Sequence, residues 1–192
     1  MAPRIAVVSN DNRFLRFADR REIHEGNLPH RSVQVLLWNR RGELLIQRRH
    51  PEKLTFPDHW DLSCAGHVDE TDYVAGPDDD LDRVYDDVAR RELFEELGVR
   101  PEITLLAHFA PEPGVHYEHL HLYRAEHEGP FVCQPDEVSE VRFVSAAAFD
   151  AMVREGKEKI VPSLIWFVDW ARKTGVWRDS WPSRYARRLR MG

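Results

Sequence analysis

Residues 90–99 read RRELFEELGV. Glu92, Glu95 and Glu96 stand at i, i+3 and i+4, so on a helix they are neighbours on one face. Ala89, Leu93 and Leu97 make an apolar stripe at i, i+4, i+8. The stretch therefore predicts the end of an amphipathic helix running from about Leu81 to Leu97, with Gly98 as its terminator. Three carboxylates in this arrangement repel one another and lie near the negative end of the helix dipole. A solvated face with Arg90 and Arg91 as ion-pair partners is one way to carry that charge. A bound cation is the other: hard divalent ions such as Mg²⁺ take carboxylate oxygens and bind phosphate on their remaining positions.

Upstream, VQVLLW at 33–38 is β-branched and apolar, a buried strand, and LLIQ at 44–47 returns after the turn Asn39-Arg40-Arg41-Gly42. This is the clearest hairpin in the chain. IAVV at 5–8 and FLRF at 14–17 suggest a second, across the turn residues 9–12. HPEKLTFPDHW at 50–60 is loop-like, and WDLSCAGHV at 60–68 fits a strand ending near Gly66. Residues 69–82 are acidic and contain Gly76-Pro77, a surface loop from which Asp78, Asp79 or Asp80 is expected to cap the helix. Strands are expected at about 102–109, 117–124 and 138–144. Helices are expected over AAAFDAMVREG, ending at Gly156, and over residues 163–175. Interspersed strands and helices in this order predict an α+β sandwich rather than a βαβ repeat.

The 192 residues suit a single domain over 1–192, with an N-terminal strand extension at 1–30 and a C-terminal helix and tail at 157–192. A net charge of −6 gives no general nucleic-acid surface, so no nucleic-acid partner is expected. The basic tail RYARRLR is read as a solvated terminus. No run approaches 20 apolar residues, so no membrane span is expected. Two cysteines, Cys64 and Cys133, give no disulfide framework, and the expected compartment is the cytoplasm.

Arg91, Glu92, Leu93, Glu95, Glu96, Gly98 and Val99 match every fixed position of R-E-U-x-E-E-x-G-U, where U is aliphatic. This resembles the core of the Nudix box. The full box resembles G-x5-E-x7-R-E-U-x-E-E-x-G-U, and the chain departs from it. Gly66 to Arg91 spans 25 positions where the pattern spans 14, so the loop is eleven residues longer. Six residues after Gly66 stands Asp72, and eight before Arg91 stands Arg83, so the first Glu is missing in register. LLIQRR, FPDHWDLSCAGHV, REL.EELGV and DEVSEVRFV, in that order, are similar to the Nudix branch related to type I isopentenyl-diphosphate isomerase.

The resemblance implies an α/β/α sandwich around a mixed β-sheet and a Mg²⁺- or Mn²⁺-dependent hydrolase of a small-molecule diphosphate. It implies a metal site at Glu92, Glu95 and Glu96, with the Gly66 carbonyl as a backbone ligand and Glu118 as a second-tier ligand. Arg91 is expected to orient the carboxylates. Arg48 and Arg49 leave their strand on opposite faces, so one of them is a candidate phosphate clamp, with plain surface charge as the equal alternative, and His67 is expected to line the pocket. Glu137 and Glu140 are read as loop anchors, with a general-base role as the alternative. The N-terminal strands and C-terminal helix leave surfaces for a homodimer.

Two other readings stand beside the hydrolase. One is an isomerase: His24, His30, His67 and Glu118 fall where that family's metal ligands fall, with His116 in place of an acid. Three imidazoles and a carboxylate can hold a divalent metal. The isomerase pattern, however, puts its Cys directly before Gly66, where this chain has Ala65. Side chains alternate along a strand, so Cys64 should point away from that site. The other reading is a non-catalytic nucleotide-binding module, against which the three retained carboxylates argue.

Overall fold

The computed structural model describes residues 3–112 and 116–177. The basic tail segment 184–190 lies outside them. Among the described residues, nine strands form one mixed sheet.

β3 (His30–Trp38) organises the sheet. One of its edges is taken by β8 (Glu118–Glu126), parallel and in register from His30↔Glu118 to Trp38↔Glu126. The other edge is shared. β1 (Ile5–Val8) meets it at Val7↔His30, β6 (Cys64–His67) covers Ser32–Val35, and β4 (Leu44–Arg49) touches it only at Trp38↔Leu44. The expected hairpin of β3 and β4 is thus paired at its tip alone. β4 continues against β5 (Trp60–Asp61) and β9 (Val138–Val144) instead. At the fork, the Ser63 hydroxyl accepts from the Leu37 N–H (2.8 Å) and donates to the Leu45 carbonyl (2.6 Å). It thereby satisfies two buried backbone groups that the missing ladder leaves over.

Alternation along β3 divides the core in two. Val33, Val35 and Leu37 pack with Leu45, Tyr85, Val88, Leu93 and Leu97, which puts α2 (Leu81–Leu97) on one face. Leu36 and Trp38 pack with Ile46, Leu122, Phe149, Leu164 and Phe167. That places α3 (Ala146–Glu155) and α4 (Pro162–Lys173) on the other face. The expected α/β/α sandwich is what forms. β7 (Ile103–Phe109) extends the sheet beyond β8.

Two local expectations change. The N-terminal extension holds not only β1 and β2 (Phe14–Ala18) but also a helix, α1 (Arg20–Gly26), capped by Asp19 accepting from Glu22 N–H. Only Ile23 of this helix is buried, so it carries no apolar period to read. The second change is at the start of α2. Asp80 occupies the N-cap position in the left-handed region (φ 48°) and makes no side-chain capping bond. Asp78 is used elsewhere: it accepts from Phe14 N–H and pairs with Arg31 at 2.6 Å. Arg31 is fully buried and also donates to Asn12, Tyr73 and the Pro77 carbonyl. The lengthened acidic loop is therefore latched to β3 and the N-terminal extension.

Candidate active site

The last turns of α2 run beside β6. There the Glu96 carboxylate is buried and accepts from Gln47 Nε2 (3.0 Å) and Ala65 N–H (3.4 Å), with the Cys64 thiol as a further donor. Glu92 lies directly over the Gly66 α-carbon. A Cβ there would sit 2.0 Å from the Glu92 carboxyl carbon, so a side chain at 66 would displace Glu92 from this place. Glu95 is the most exposed of the three, at 47%.

Arg91 ties the carboxylates together. Its Nη1 is 2.9 Å from both Glu92 Oε1 and Glu95 Oε2, and its other nitrogens reach the Asp72 carboxylate at 3.1–3.2 Å. Arg91 thereby bridges Glu92 and Glu95. It also gives Asp72 a place: the acid six residues after Gly66 holds Arg91, and the extra loop length is inserted after it.

One guanidinium does not balance this cluster. Burial, and then the neighbouring Glu96, push the Glu92 carboxyl up to about 8, against the pull of Arg91. Burial also raises Glu96, opposed by its bonds from Gln47 and Cys64. Buried like charges of this kind favour a proton or a metal ion between them. All the donors are oxygens, which suits Mg²⁺ or Mn²⁺. The residues present fit the expected ion.

The carboxylates line a cavity of about 260 Å³ that adjoins a second one of about 380 Å³. Arg20, Arg49, Ala65, Gly66 and His67 line both. Arg20 opens α1 and forms no ion pair among the described residues. Arg49, at the end of β4, is held by Asp61 (3.0 Å) and the Thr55 carbonyl (3.0 Å). Lys53 pairs with Glu137 and lines the smaller cavity; burial, Arg20 and Arg49 push its ammonium down to about 8. Three cations thus face three carboxylates across one opening, an arrangement that a metal–diphosphate would complete.

The larger cavity holds the histidines. The His24, His30 and His67 ring centroids are 5.0–5.8 Å apart. His30 Nδ1 bonds the Leu28 carbonyl at 2.8 Å, leaving Nε2 3.8 Å from Glu118 Oε1. His116 Nδ1 lies 3.4 Å from Glu118 Oε2. Donor atoms of His30, His67 and Glu118 fall within 4.8 Å of one another. His24 Nε2 and His30 Nε2 are buried without a hydrogen-bond partner among the described residues. Burial and then His30 hold His24 down to about 4, and burial keeps His30 and His67 low as well, so the lone pairs are free.

The candidate residues therefore separate. Glu92, Glu95, Glu96, Arg91 and Gly66 come together. Glu118 does not join them: strand pairing places it opposite His30, among the histidines. Arg48 lines neither cavity and pairs with Asp58 (2.9 Å) and Glu140 (3.7 Å), so of the two arginines only Arg49 borders the cavities. Glu140 stays with Arg48, and Glu137 with Lys53. Cys64 is buried among core residues, its thiol pushed well up by burial and Glu96, while Ala65 lines both cavities. Arg20, Lys53, Asp72 and Gln47 were not singled out for the site by sequence. Only Asp72 left a signal, its spacing from Gly66.

The NUDIX domain family matches residues 28–164. Over 143 residues the chain is 37% identical to the Nudix hydrolase PA4841 of Pseudomonas aeruginosa, covering 73% of this chain and 77% of that one. It is 28% identical over 185 residues to an isopentenyl-diphosphate Delta-isomerase of Dictyostelium discoideum, covering 84% and 75%. The fold is like that of DR0079 from Deinococcus radiodurans, with a TM-score of 0.66 at 23% identity, covering 82% of this chain and 92% of that one. No helix among the described residues is long and apolar enough to cross a membrane. With the family matched over most of its length, the chain belongs to the Nudix family and is an enzyme of its pyrophosphohydrolase type.

Proposed function

We propose that the protein hydrolyses an organic diphosphate, nucleoside-linked or other, at the end of α2 with the help of Mg²⁺ or Mn²⁺. The observation that carries this reading is the packing of Glu92 onto Gly66 beside Glu96: buried carboxylates that repel each other, facing Arg49 and Lys53 across one cavity. Glu92, Glu95, Glu96 and the Gly66 carbonyl would hold the ion. Bound there, it would supply charge neutralisation for phosphoryl oxygens and a lowered pKa for an attacking water.

The protein's own groups do the rest. Gln47 and the Ala65 N–H keep Glu96 in its rotamer. Arg91 spaces Glu92 from Glu95. Arg49, Lys53 and Arg20 orient the diphosphate by charge-assisted hydrogen bonds. His67 sits where the two cavities meet and would line the bound substrate.

The test is Glu95→Gln, an exposed and nearly isosteric change that spares the fold. Hydrolysis is expected to fall at least about a hundredfold with Mg²⁺ present, as loss of a charge-stabilising ligand would give. Unchanged turnover would remove the metal assignment. A panel of nucleoside diphosphates, diphosphate-linked compounds and isopentenyl diphosphate, followed for phosphate release, names the substrate class.

A second reading rests on the histidine cluster, whose unbonded buried nitrogens suit a borderline metal. It is an isomerase, and double-bond migration in the same panel would support it. The position of Ala65 is what disfavours it.

A further inference from the structure

A separate group of donors lies at the opposite end of α2 and plays no part in the chemistry above. Asp82 is in the first turn of the helix. His108 on β7 and His121 on β8 are direct cross-strand partners. One donor atom from each of the three falls within 4.8 Å of the others. Ten residues separate Asp82 from Glu92, about 15 Å along a helix, so the two groups are distinct.

We propose that Asp82, His108 and His121 form a second metal site, selective for Zn²⁺ or a neighbouring first-row ion rather than Mg²⁺. Two imidazoles and one carboxylate make a borderline donor set, which hard cations do not favour. Three protein ligands leave a fourth position for water.

The surroundings of His121 are those of a positioned ligand. Its ring is covered on one side by Tyr85, with centroids 3.6 Å apart, and on the other by His108 at 3.9 Å. An in-plane nitrogen is therefore what it has to offer. The Tyr123 hydroxyl donates its proton to Asp86 Oδ1 at 2.8 Å, so its oxygen is free to accept. It lies 3.4 Å from His121 Nδ1. That relay puts the proton on Nδ1 and leaves the lone pair on Nε2. Carboxylate-backed partners of this kind fix the tautomer of metal-bound histidines in general. His108 is exposed and its ring forms no hydrogen bond among the described residues, so it can turn out of the stack to meet an ion. A site of this form would pin the start of α2 to the β7–β8 pair.

The test is a Zn²⁺ titration of the full chain, read by calorimetry for stoichiometry and by the imidazole NMR signals of His108 and His121. The wild type should bind one Zn²⁺ more than His108→Ala, an exposed substitution that spares the fold. This difference is independent of ions held by the catalytic carboxylates or by the His24–His30–His67 cluster. Tyr123→Phe should weaken that one site about 10–100-fold by releasing His121 Nδ1. Equal stoichiometry in wild type and His108→Ala, or imidazole signals unmoved by Zn²⁺, would leave only a stack of rings and overturn the proposal. Glu95→Gln should keep this site, so its failure and that of the hydrolase reading are distinguishable.

Discussion

The two adjoining cavities are built in opposite ways. The carboxylate site comes from one helix: Glu92, Glu95 and Glu96 are neighbours because α-helical spacing makes them so. The histidine cluster comes from separate segments: His24 on α1, His30 on β3, His67 on β6, His116 just before β8 and Glu118 at its start. The pairing of β3 with β8 and β6 brings His30, His67 and Glu118 together, and α1 adds His24. The boundary between the two is four residues long. In Cys64–His67, Cys64 and Gly66 face the carboxylates of α2 and the His67 ring stands among the histidines, while the backbone around Ala65 and Gly66 borders both cavities. Strand alternation lets one β-strand serve two sites of different donor chemistry.

The sharpest way to break this division is Gly66→Ala. The added methyl would occupy the place of the Glu92 carboxyl, which must then leave the carboxylate site. Hydrolysis should fall about a hundredfold or more, with far-ultraviolet circular dichroism unchanged. The histidines lie on the other face and should keep their arrangement, visible as unaltered imidazole NMR signals. Full activity in this variant would mean that Glu92 is not needed where the structure places it.

A smaller effect separates the sites by the sign of their pH dependence. The His24 pKa is lower in the folded chain, about 4 against 6.5. The unfolded chain therefore binds more protons in that window, and His24 makes stability rise with pH up to about 6.5. Glu92 is the reverse, about 8 folded against 4.5, so the folded chain holds the extra proton. Its contribution falls as pH rises through 4.5 to 8. Of these two groups, only Glu92 acts between 6.5 and 8. Without divalent ions, the melting temperature should decline across that interval. Mg²⁺ should remove the decline, and Glu92→Gln should flatten it. A curve that is flat without Mg²⁺ would mean that Glu92 is already ionised.

This contrast also explains what the sequence disclosed. The α2 stripe, its Gly98 terminator and the three carboxylates are local, so periodicity exposes them, and the sandwich follows from the strand pattern. The fork between β3 and β4 is not local. It depends on β6 taking the edge of β3 and on Ser63 satisfying the leftover backbone groups, and no spacing encodes that. Arg20 and Lys53 sit on a short helix and a loop with no period of their own, and only the fold brings them to the cavity that Arg49 also lines. Arg48 and Arg49 show the limit of alternation. It says that they part, but only the position of β5 and β9 decides which one faces the cavity.

The smallest expected effect on activity concerns Cys64, the residue on which the two enzyme readings divide. Its side chain is fully buried in the core beneath α2, and its thiol bonds Glu96. Burial and Glu96 hold it in the protonated form, which is neither a nucleophile nor a ready proton donor. Cys64→Ala removes one of three donors to Glu96 and leaves a small void. Stability should fall by about 0.5–3 kcal/mol, the usual range for such a change. Hydrolysis should stay within a few-fold, because Gln47 and the Ala65 N–H still hold the carboxylate. Cys64→Ser, which keeps a donor at the same place, should recover the lost activity. If Cys64→Ala instead abolishes turnover while Cys64→Ser fails to rescue it, sulfur chemistry is required. The reacting group would then be the thiol rather than the carboxylates it now supports.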